Sequence, residues 1–193
     1  MGNEFIVNKW LKADRLVNTI PLRDFVYMLI PEPPSEVLKA TTRLDYNSLV
    51  VVGIGLKQKA PPHHWVYVPD KHVIFHRYAW ISNYGEDTPS DHSTLIAEVT
   101  VSPNTVIDLE KIKNRVVEDL TNLNIINEKA IEVVKTWFHK YAYPIYSLTH
   151  DEDVAIIERY LAELGIITFG RWGNWHYWNT DKIYEKSENL TMI

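Results

Sequence analysis

The sequence contains no cysteine among its 193 residues. This absence excludes disulfide bonds, thiolate nucleophiles and cysteine ligands to metals. There is also no run of about 18 apolar residues, the length of a membrane-spanning helix, and no basic segment followed by an apolar one at the N-terminus. Runs of Lys or Arg are missing too, and the formal net charge is -5. These absences predict a cytoplasmic protein that binds neither membranes nor nucleic acids.

The glycine-rich loops that bind nucleotides are missing as well. Gly53-Ile54-Gly55 begins like a dinucleotide-binding motif, but no third glycine follows at the required spacing and Leu56-Lys57-Gln58 does not open a helix. A Walker motif is absent. We therefore interpret Gly53 and Gly55 as small residues of a strand that another group approaches closely. We do not expect this chain to hold a pyrophosphate by itself in the usual flavin or nicotinamide manner.

The histidines and the acidic run give no clear catalytic set. His63 and His64 lie in a proline-rich loop, His72 and His76 lie in or beside a strand, and no His-Glu-x-x-His pattern joins them. No metal site is expected. The run 151–153 (Asp-Glu-Asp) is best interpreted as a helix start, where the helix dipole favours negative charge.

The remaining pattern predicts one α+β domain. The content of 46% hydrophobic and 23% charged residues is typical of a globular protein. Helices are predicted to open at Pro21, at Ser35 as an N-cap, at Asp108 as an N-cap and near Asp151, the last one ending at Gly165. Strands are predicted over 13–20, 46–56, 64–68, 73–81, 93–101 and 130–139, with a tight turn at 69–71. This order predicts a mixed, largely antiparallel β-sheet covered by helices, with residues 1–193 as a single domain.

Three places suggest a binding site. Alternation in the predicted strand places Arg77 on one face with Phe75 and Ala79, so the guanidinium is expected to need an anion. The segment 141–144 (Tyr-Ala-Tyr-Pro) pairs two phenols, of which one either points into a cleft or packs internally. The segment 170–178 combines two glycines with several aromatic residues, which suits close approach to a ligand or to another domain.

Taken together, these segments resemble the UDP-galactopyranose mutase branch of the flavin-dependent amine oxidase and protoporphyrinogen oxidase superfamily. The resemblance covers most of the chain. It is to the C-terminal, substrate-binding half of such enzymes. It is carried by Asn18-Thr19-Ile20-Pro21-Leu22, Leu44-Asp45-Tyr46-Asn47-Ser48, Trp65-Val66-Tyr67-Val68-Pro69-Asp70, Phe75-His76-Arg77, Ser82-Asn83-Tyr84, Tyr143-Pro144 and 170–177. The glycine-rich FAD fingerprint of an intact enzyme is missing. FAD is therefore expected only together with a complementing nucleotide-binding domain or a separate FAD-binding chain.

The resemblance also implies roles for particular residues. Arg77 corresponds to the pyrophosphate-binding arginine of the family, Tyr143 and Tyr177 to its two tyrosines, and Arg171 to the arginine of the segment that returns toward the flavin. The Arg77 guanidinium and the phenols are expected to converge on one hollow that holds a diphosphate. Arg171 is expected to contact both substrate and cofactor. The other expected contacts are Asn83 and Asn179 with the substrate, and Gly170, Gly173 and Trp175 with the cofactor; no catalytic residue is assigned. Asn179-Thr180-Asp181 follows Tyr177 more closely than the family pattern does. The C-terminal segment 165–193 is expected to return to the missing FAD-binding domain.

Four hypotheses follow for the function. The leading one is the substrate-binding portion of a mutase-like flavoprotein that acts on a nucleotide sugar and is inactive alone. The second is a part of an amine oxidase or protoporphyrinogen oxidase-type oxidoreductase, which a hydrophobic cleft without Arg77 would favour. The third is a stand-alone nucleotide-sugar-binding module without catalysis, which calorimetric binding of UDP would favour. The fourth is a purely structural partner role.

Overall fold

The computed structural model describes residues 4–86 and 88–190. The strands are β1 (Phe5–Val7), β2 (Leu11–Ala13), β3 (Leu16–Asn18), β4 (Asp45–Leu56), β5 (Trp65–Tyr67), β6 (Arg77–Trp80), β7 (Ser93–Val101), β8 (Ile131–Ile145) and β9 (Ile166–Thr168). The helices are α1 (Leu22–Tyr27), α2 (Ser35–Arg43), α3 (Leu109–Asn122), α4 (His150–Glu163), α5 (Gly170–Gly173) and α6 (Thr180–Leu190). No helix in this described part is long and apolar enough to cross a membrane.

The chain forms two compact units. The first unit contains the residues up to Tyr46 together with those from Tyr143 onward, and the second unit is Asn47–Ala142. The second unit is therefore an insertion between the two pieces of the first. The predicted limits of a single domain over 1–193, with a C-terminal segment from residue 165, stay a prediction; residues 191–193 lie outside the described part.

A five-stranded sheet dominates the second unit, in the order β5-β6-β7-β4-β8. The pairs β5–β6, β6–β7 and β4–β7 are antiparallel. Strand β8 lies beside β4, where the Ser48 hydroxyl donates to the Lys140 carbonyl at 2.7 Å. The predicted α+β class, with a largely antiparallel sheet and helices, is confirmed.

The core of the second unit lies between one face of this sheet and α3. Alternate residues of β4 from Val50 to Leu56 are buried in one cluster with Val116 and Leu120 of α3, as the period of two in a strand and the helical spacing in α3 require. The predicted N-cap of α3 is confirmed, because the Asp108 carboxylate accepts a hydrogen bond from the Lys111 backbone N–H at 3.0 Å.

In the first unit, α2 packs against α4, and β3 pairs in parallel with β9. Arg43 at the end of α2 forms a bidentate ion pair with Asp153, a fully buried carboxylate in the first turn of α4. Burial opposes ionisation of Asp153, but hydrogen bonds from Arg43 and Thr149 outweigh it and hold the pKa of this carboxyl below its ordinary value. The predicted glycine stop of α4 is confirmed by Gly165, whose φ is 74°.

Some element boundaries differ from the predictions. Ser35 is the first residue of α2 rather than its N-cap, a position that Pro34 takes without a side-chain hydrogen bond. The predicted strand 73–81 is shorter, because β6 begins at Arg77 and a longer loop replaces the tight turn at 69–71. Phe75 precedes the strand and joins the core with Tyr78, so the prediction that it shares a face with Arg77 is wrong. Strand β8 continues past the predicted end at 139.

Candidate functional site

Arg77 is held by a carboxylate across the strand pair. Its register partner in β7 is Glu98, and the guanidinium Nε and Nη2 donate to the two carboxylate oxygens of Glu98, at 3.0 Å and 2.6 Å. The side chains are only 15% and 10% exposed, respectively. The anion that the sequence predicted for Arg77 is thus supplied within the sheet, in the bidentate geometry that arginine and carboxylate favour.

Two aromatic rings of β5 accompany this ion pair. The guanidinium carbon of Arg77 lies 5.1 Å from the ring centroid of Trp65 and 5.6 Å from that of Tyr67, within the range of cation–π attraction. Its Nη1 also donates to the Tyr67 hydroxyl at 3.3 Å. Both rings are more than half exposed. Sequence reasoning did not assign these two rings to a site, although their alternation in β5 was a signal that they share one face.

Side chains of β8 pack so closely against β4 that two positions of β4 have room only for glycine. A Cβ added at Gly53 would meet the ring of Trp137 at 2.8 Å, and one added at Gly55 would meet Val133 at 2.7 Å. These contacts are tighter than ordinary packing allows. The close approach that was predicted for this strand is therefore made by side chains of the neighbouring strand.

Arg171, Tyr143 and Tyr177 come together in the first unit. The guanidinium carbon of Arg171 lies 4.3 Å from the Tyr177 ring centroid and 5.3 Å from that of Tyr143. The two tyrosine rings are stacked, with centroids 5.7 Å apart and planes 20° apart. We call these three residues the arginine–tyrosine stack. Three of the predicted substrate-binding residues thus share one place, which spacing along the sequence could not show.

A second aromatic cluster fixes the chain around this stack. The Tyr177 backbone N–H donates to the Tyr146 hydroxyl at 2.7 Å, and Nε2 of the buried His150 donates to the Trp175 carbonyl at 2.9 Å. The rings of Tyr146 and His150 pack edge to face, with their centroids 4.2 Å apart. Burial, together with nearby His150, lowers the pKa of His176. Sequence reasoning missed this cluster, because its members lie about 25 to 30 positions apart.

The glycine-rich segment is a tight turn rather than an exposed aromatic surface. Gly170 has a φ of 88°, and a Cβ added there would have no atom within 4 Å. A Cβ on Gly173, in contrast, would lie 2.4 Å from the backbone carbonyl oxygen of Asn18. Trp175 is fully buried and meets Tyr46 and Trp172 edge to face. Its side chain therefore packs inside this unit, and its predicted contact with a cofactor stays a prediction.

The two predicted asparagines occupy different settings. Asn83 belongs to the second unit, where its amide nitrogen donates to the carbonyls of Pro61 and His63, both at 2.8 Å. Asn179 is exposed in the first unit, and its carbonyl accepts from the Ile183 N–H at the start of α6. Their roles in substrate binding stay predictions, as does the convergence of Arg77 with the tyrosines.

The fold and these sites define an α+β domain of the kind found in flavoproteins. A family model described as "Flavin containing amine oxidoreductase" matches residues 2–162. The chain therefore belongs to the flavin-containing amine oxidoreductase family. No curated protein matches its sequence.

Solved structures share this fold. The chain is 21% identical to a reduced UDP-galactopyranose mutase, with a TM-score of 0.79 over 91% of this chain and 40% of the mutase. It is 17% identical to a putative protoporphyrinogen oxidase from Exiguobacterium sp. 255-15, with a TM-score of 0.69 over 97% of this chain and 44% of the other. It is 19% identical to a CLA-producing fatty acid isomerase from P. acnes, with a TM-score of 0.67 over 99% and 44%. The chain thus spans less than half the length of these proteins.

The turn at Gly170 fits the approach of a flavin ring. The open space beside Gly170 leaves its backbone accessible to a planar group. Asn18, whose carbonyl lies against Gly173, is 3% exposed, and neither atom of its side-chain amide has a hydrogen-bond partner among the described residues. A buried amide of this kind needs a donor and an acceptor to satisfy it. The ring edge of a flavin offers both.

Proposed function

We propose that this chain is the substrate-binding portion of a flavin-dependent enzyme similar to UDP-galactopyranose mutase, and that it works with FAD held mainly by a separate domain or chain. Membership of the flavin-containing family supports the cofactor. The shared fold, over 40% of the mutase, supports the idea that a nucleotide-binding part must be supplied. The nucleotide-sugar substrate, the FAD-binding partner and the cytoplasmic location remain predictions.

The arginine–tyrosine stack is the observation that carries this proposal. A sugar nucleotide that loses its diphosphate gains negative charge on the departing oxygens. A guanidinium and phenol hydroxyls at that position stabilise the transition state more than the ground state. Tyr143 and Tyr177 hold the Arg171 guanidinium by their ring faces. Ring quadrupoles attract a cation but carry no net charge, so these two rings position the guanidinium by cation–π attraction.

A reduced FAD bound beside these residues would supply the nucleophile for the anomeric carbon of the sugar. The residues of this chain bind and orient the substrate. Asn18 and the backbone at Gly170 would contact the flavin ring, and Arg171 would hold the diphosphate.

The ion pair of Arg77 favours a second candidate, an oxidoreductase of the amine oxidase or protoporphyrinogen oxidase type. Glu98 already neutralises this guanidinium, and the exposed rings of Trp65 and Tyr67 lie beside it. Such a surface suits an apolar, planar substrate better than a diphosphate. The mutase-like candidate predicts that the arginine–tyrosine stack binds a diphosphate. The oxidoreductase candidate predicts that it does not.

Titration of the ¹⁵N-labelled chain with UDP distinguishes these functions. We expect UDP to shift the Arg171 Nε–H signal with a dissociation constant of about 1 mM or weaker, because the proposed FAD-binding domain or chain would contribute to the binding site. The signal is assigned by Arg171→Gln, and Arg159→Gln, an exposed arginine on α4, is the matched control that should leave UDP binding unchanged. Uridine, which lacks phosphates, should cause no shift.

Other outcomes would contradict the proposal. The absence of any UDP-dependent shift at Arg171, or equal affinity of the Arg171→Gln protein for UDP measured through its backbone amide signals, would contradict a substrate site at Arg171. Micromolar binding of UDP without flavin would favour the stand-alone binding module. Retention of stoichiometric yellow FAD after gel filtration of the chain alone would show that a separate nucleotide-binding part is not needed.

A further inference from the structure

A cavity of about 430 Å³ lies in the second unit, at the end of the sheet where the loop after β4 meets the loop after α3. Its volume is within the range of small-molecule sites. It is lined by Gln58, Lys59, Ala60, Pro61, His63, Tyr78, Trp80, Asn124 and Ile125. None of these residues belongs to the arginine–tyrosine stack or to the Arg77 ion pair.

Two side chains of this cavity, Trp80 and Lys59, can only donate hydrogen bonds. Trp80 is fully buried, and its indole N–H has no hydrogen-bond partner among the described residues. The Tyr78 hydroxyl lies 3.4 Å from Nε2 of His63, at the limit of a hydrogen bond. Burial raises the pKa of Tyr78, so its phenol stays neutral and able to donate. Lys59 adds a positive charge, and none of the described residues that line the cavity is a carboxylate.

The wall of the cavity is preorganised. The amide nitrogen of Asn83 donates to the carbonyls of Pro61 and His63, and the backbone N–H of Trp80 donates to the His64 carbonyl at 2.7 Å. At the other side, the Gln58 carbonyl accepts from the Ser93 hydroxyl at 2.6 Å, and its side-chain oxygen accepts from the Asn127 N–H at 2.9 Å. A wall that is fixed before binding lowers the entropic cost of holding a ligand.

We propose that this cavity binds a small planar carboxylate, with the carboxylate group between the Tyr78 hydroxyl, the Trp80 indole N–H and Lys59. Burial of a donor without a partner costs free energy, which an acceptor from the ligand recovers. Ala60, Pro61 and Ile125 provide the apolar surface for the body of the ligand. This site is independent of the proposed mutase-like function, because none of the groups proposed to contact the carboxylate is assigned to that function.

The test is a titration of the ¹⁵N-labelled chain with sodium benzoate, followed through the indole N–H signals. The Trp80 signal is assigned with Trp80→Phe. We expect benzoate to move this signal downfield in a saturable manner, because a carboxylate becomes its acceptor. Benzyl alcohol, which is neutral, and benzylamine, which is a cation, should bind at least about 10-fold more weakly, since hydrogen bonds to a charged acceptor are the stronger ones.

Two mild variants keep the test independent of folding. Tyr78→Phe removes only the hydroxyl, and Lys59→Gln changes an exposed side chain. Each should weaken benzoate binding by about 10-fold. Lys57→Gln is the matched control, because Lys57 lines a neighbouring cavity instead, and it should change nothing. The proposal is overturned if benzoate leaves the Trp80 signal in place, or if Tyr78→Phe and Lys59→Gln bind benzoate as the unchanged chain does.

Discussion

Arg77 in the second unit and Arg171 in the first unit are two arginines beside aromatic rings with different partners. Arg77 binds the carboxylate of Glu98 and lies near Trp65 and Tyr67. Arg171 lies over the stacked rings of Tyr143 and Tyr177. A carboxylate neutralises the guanidinium that it binds, whereas a ring face attracts a cation through its quadrupole and carries no net charge itself. The comparison shows that a diphosphate would have to compete with Glu98 for the Arg77 guanidinium.

The largest expected effect comes from removing the carboxylate beside Arg77. Glu98→Ala should lower the free energy of unfolding by about 3 kcal/mol, because a largely buried guanidinium loses its bidentate partner. Urea denaturation measures this loss. The exposed Glu132 provides a control, as Glu132→Ala should cost less than about 1 kcal/mol. If Glu98→Ala lowers the free energy of unfolding no more than the control does, the ion pair does not stabilise the fold. Arg77 would then again be a candidate for ligand binding.

The next effect concerns Asp153, a buried carboxylate that also neutralises an arginine. Asp153→Ala should cost about 2 kcal/mol, since it removes a charged hydrogen-bonding partner of both Arg43 and Thr149. The pKa of Asp153 is depressed in the folded protein, so its contribution is present above the ordinary value of about 3.9 and is lost as the pH falls toward the folded pKa. Stability curves between about pH 2 and pH 7 should therefore converge for the variant and the unchanged chain at the acid end. Parallel curves would contradict the depressed pKa.

A smaller effect tests the arginine–tyrosine stack. Tyr177→Leu should lower the free energy of unfolding by about 1 kcal/mol, because it removes the ring face nearest to the Arg171 guanidinium. Tyr177→Phe keeps that face and should be within about 0.5 kcal/mol of the unchanged chain. Thermal or urea unfolding of the pair gives the difference. Equal losses for both variants would attribute stability to the phenol hydroxyl rather than to the cation–π contact.

The smallest expected effect is on the pH dependence of stability, to which His76, the neighbour of Arg77, contributes. Burial lowers the pKa of His76, with the charge of Glu98 opposing the shift. The unfolded chain therefore binds the proton more readily, and this contribution to stability falls as the pH drops through the ordinary value of about 6.5. His76→Gln should flatten the decrease in urea midpoint between about pH 7.5 and pH 5.5. His64→Gln is the control. A slope unchanged by His76→Gln would contradict the shift.

Local patterns in the sequence predicted the regular elements well. Helix α3 and its cap at Asp108, strand β7 and the stop of α4 at Gly165 agree with the predictions. Each depends on residues within a few positions of one another, so spacing and turn chemistry suffice.

The partners of the candidate site residues could not be predicted in the same way. Glu98 faces Arg77 because of the register between β6 and β7. This register could not be read from the local sequence pattern. The stack of Tyr143 with Tyr177 joins positions 34 residues apart, as the two residue numbers show. The resemblance brought these residues to attention, but only the fold assigns a neutralising partner to Arg77 and ring faces to Arg171.

The pairing of β3 with β9 has a consequence for how the chain folds. Leu16 pairs with Ile166, and all of the second unit is synthesised between them. During synthesis, β3 therefore cannot pair with β9 until residues 166–168 have left the ribosome. The sheet of the second unit can form before that point. Because distant pairings close slowly, refolding should show a fast phase from the insertion and a later phase in which the two ends of the chain meet.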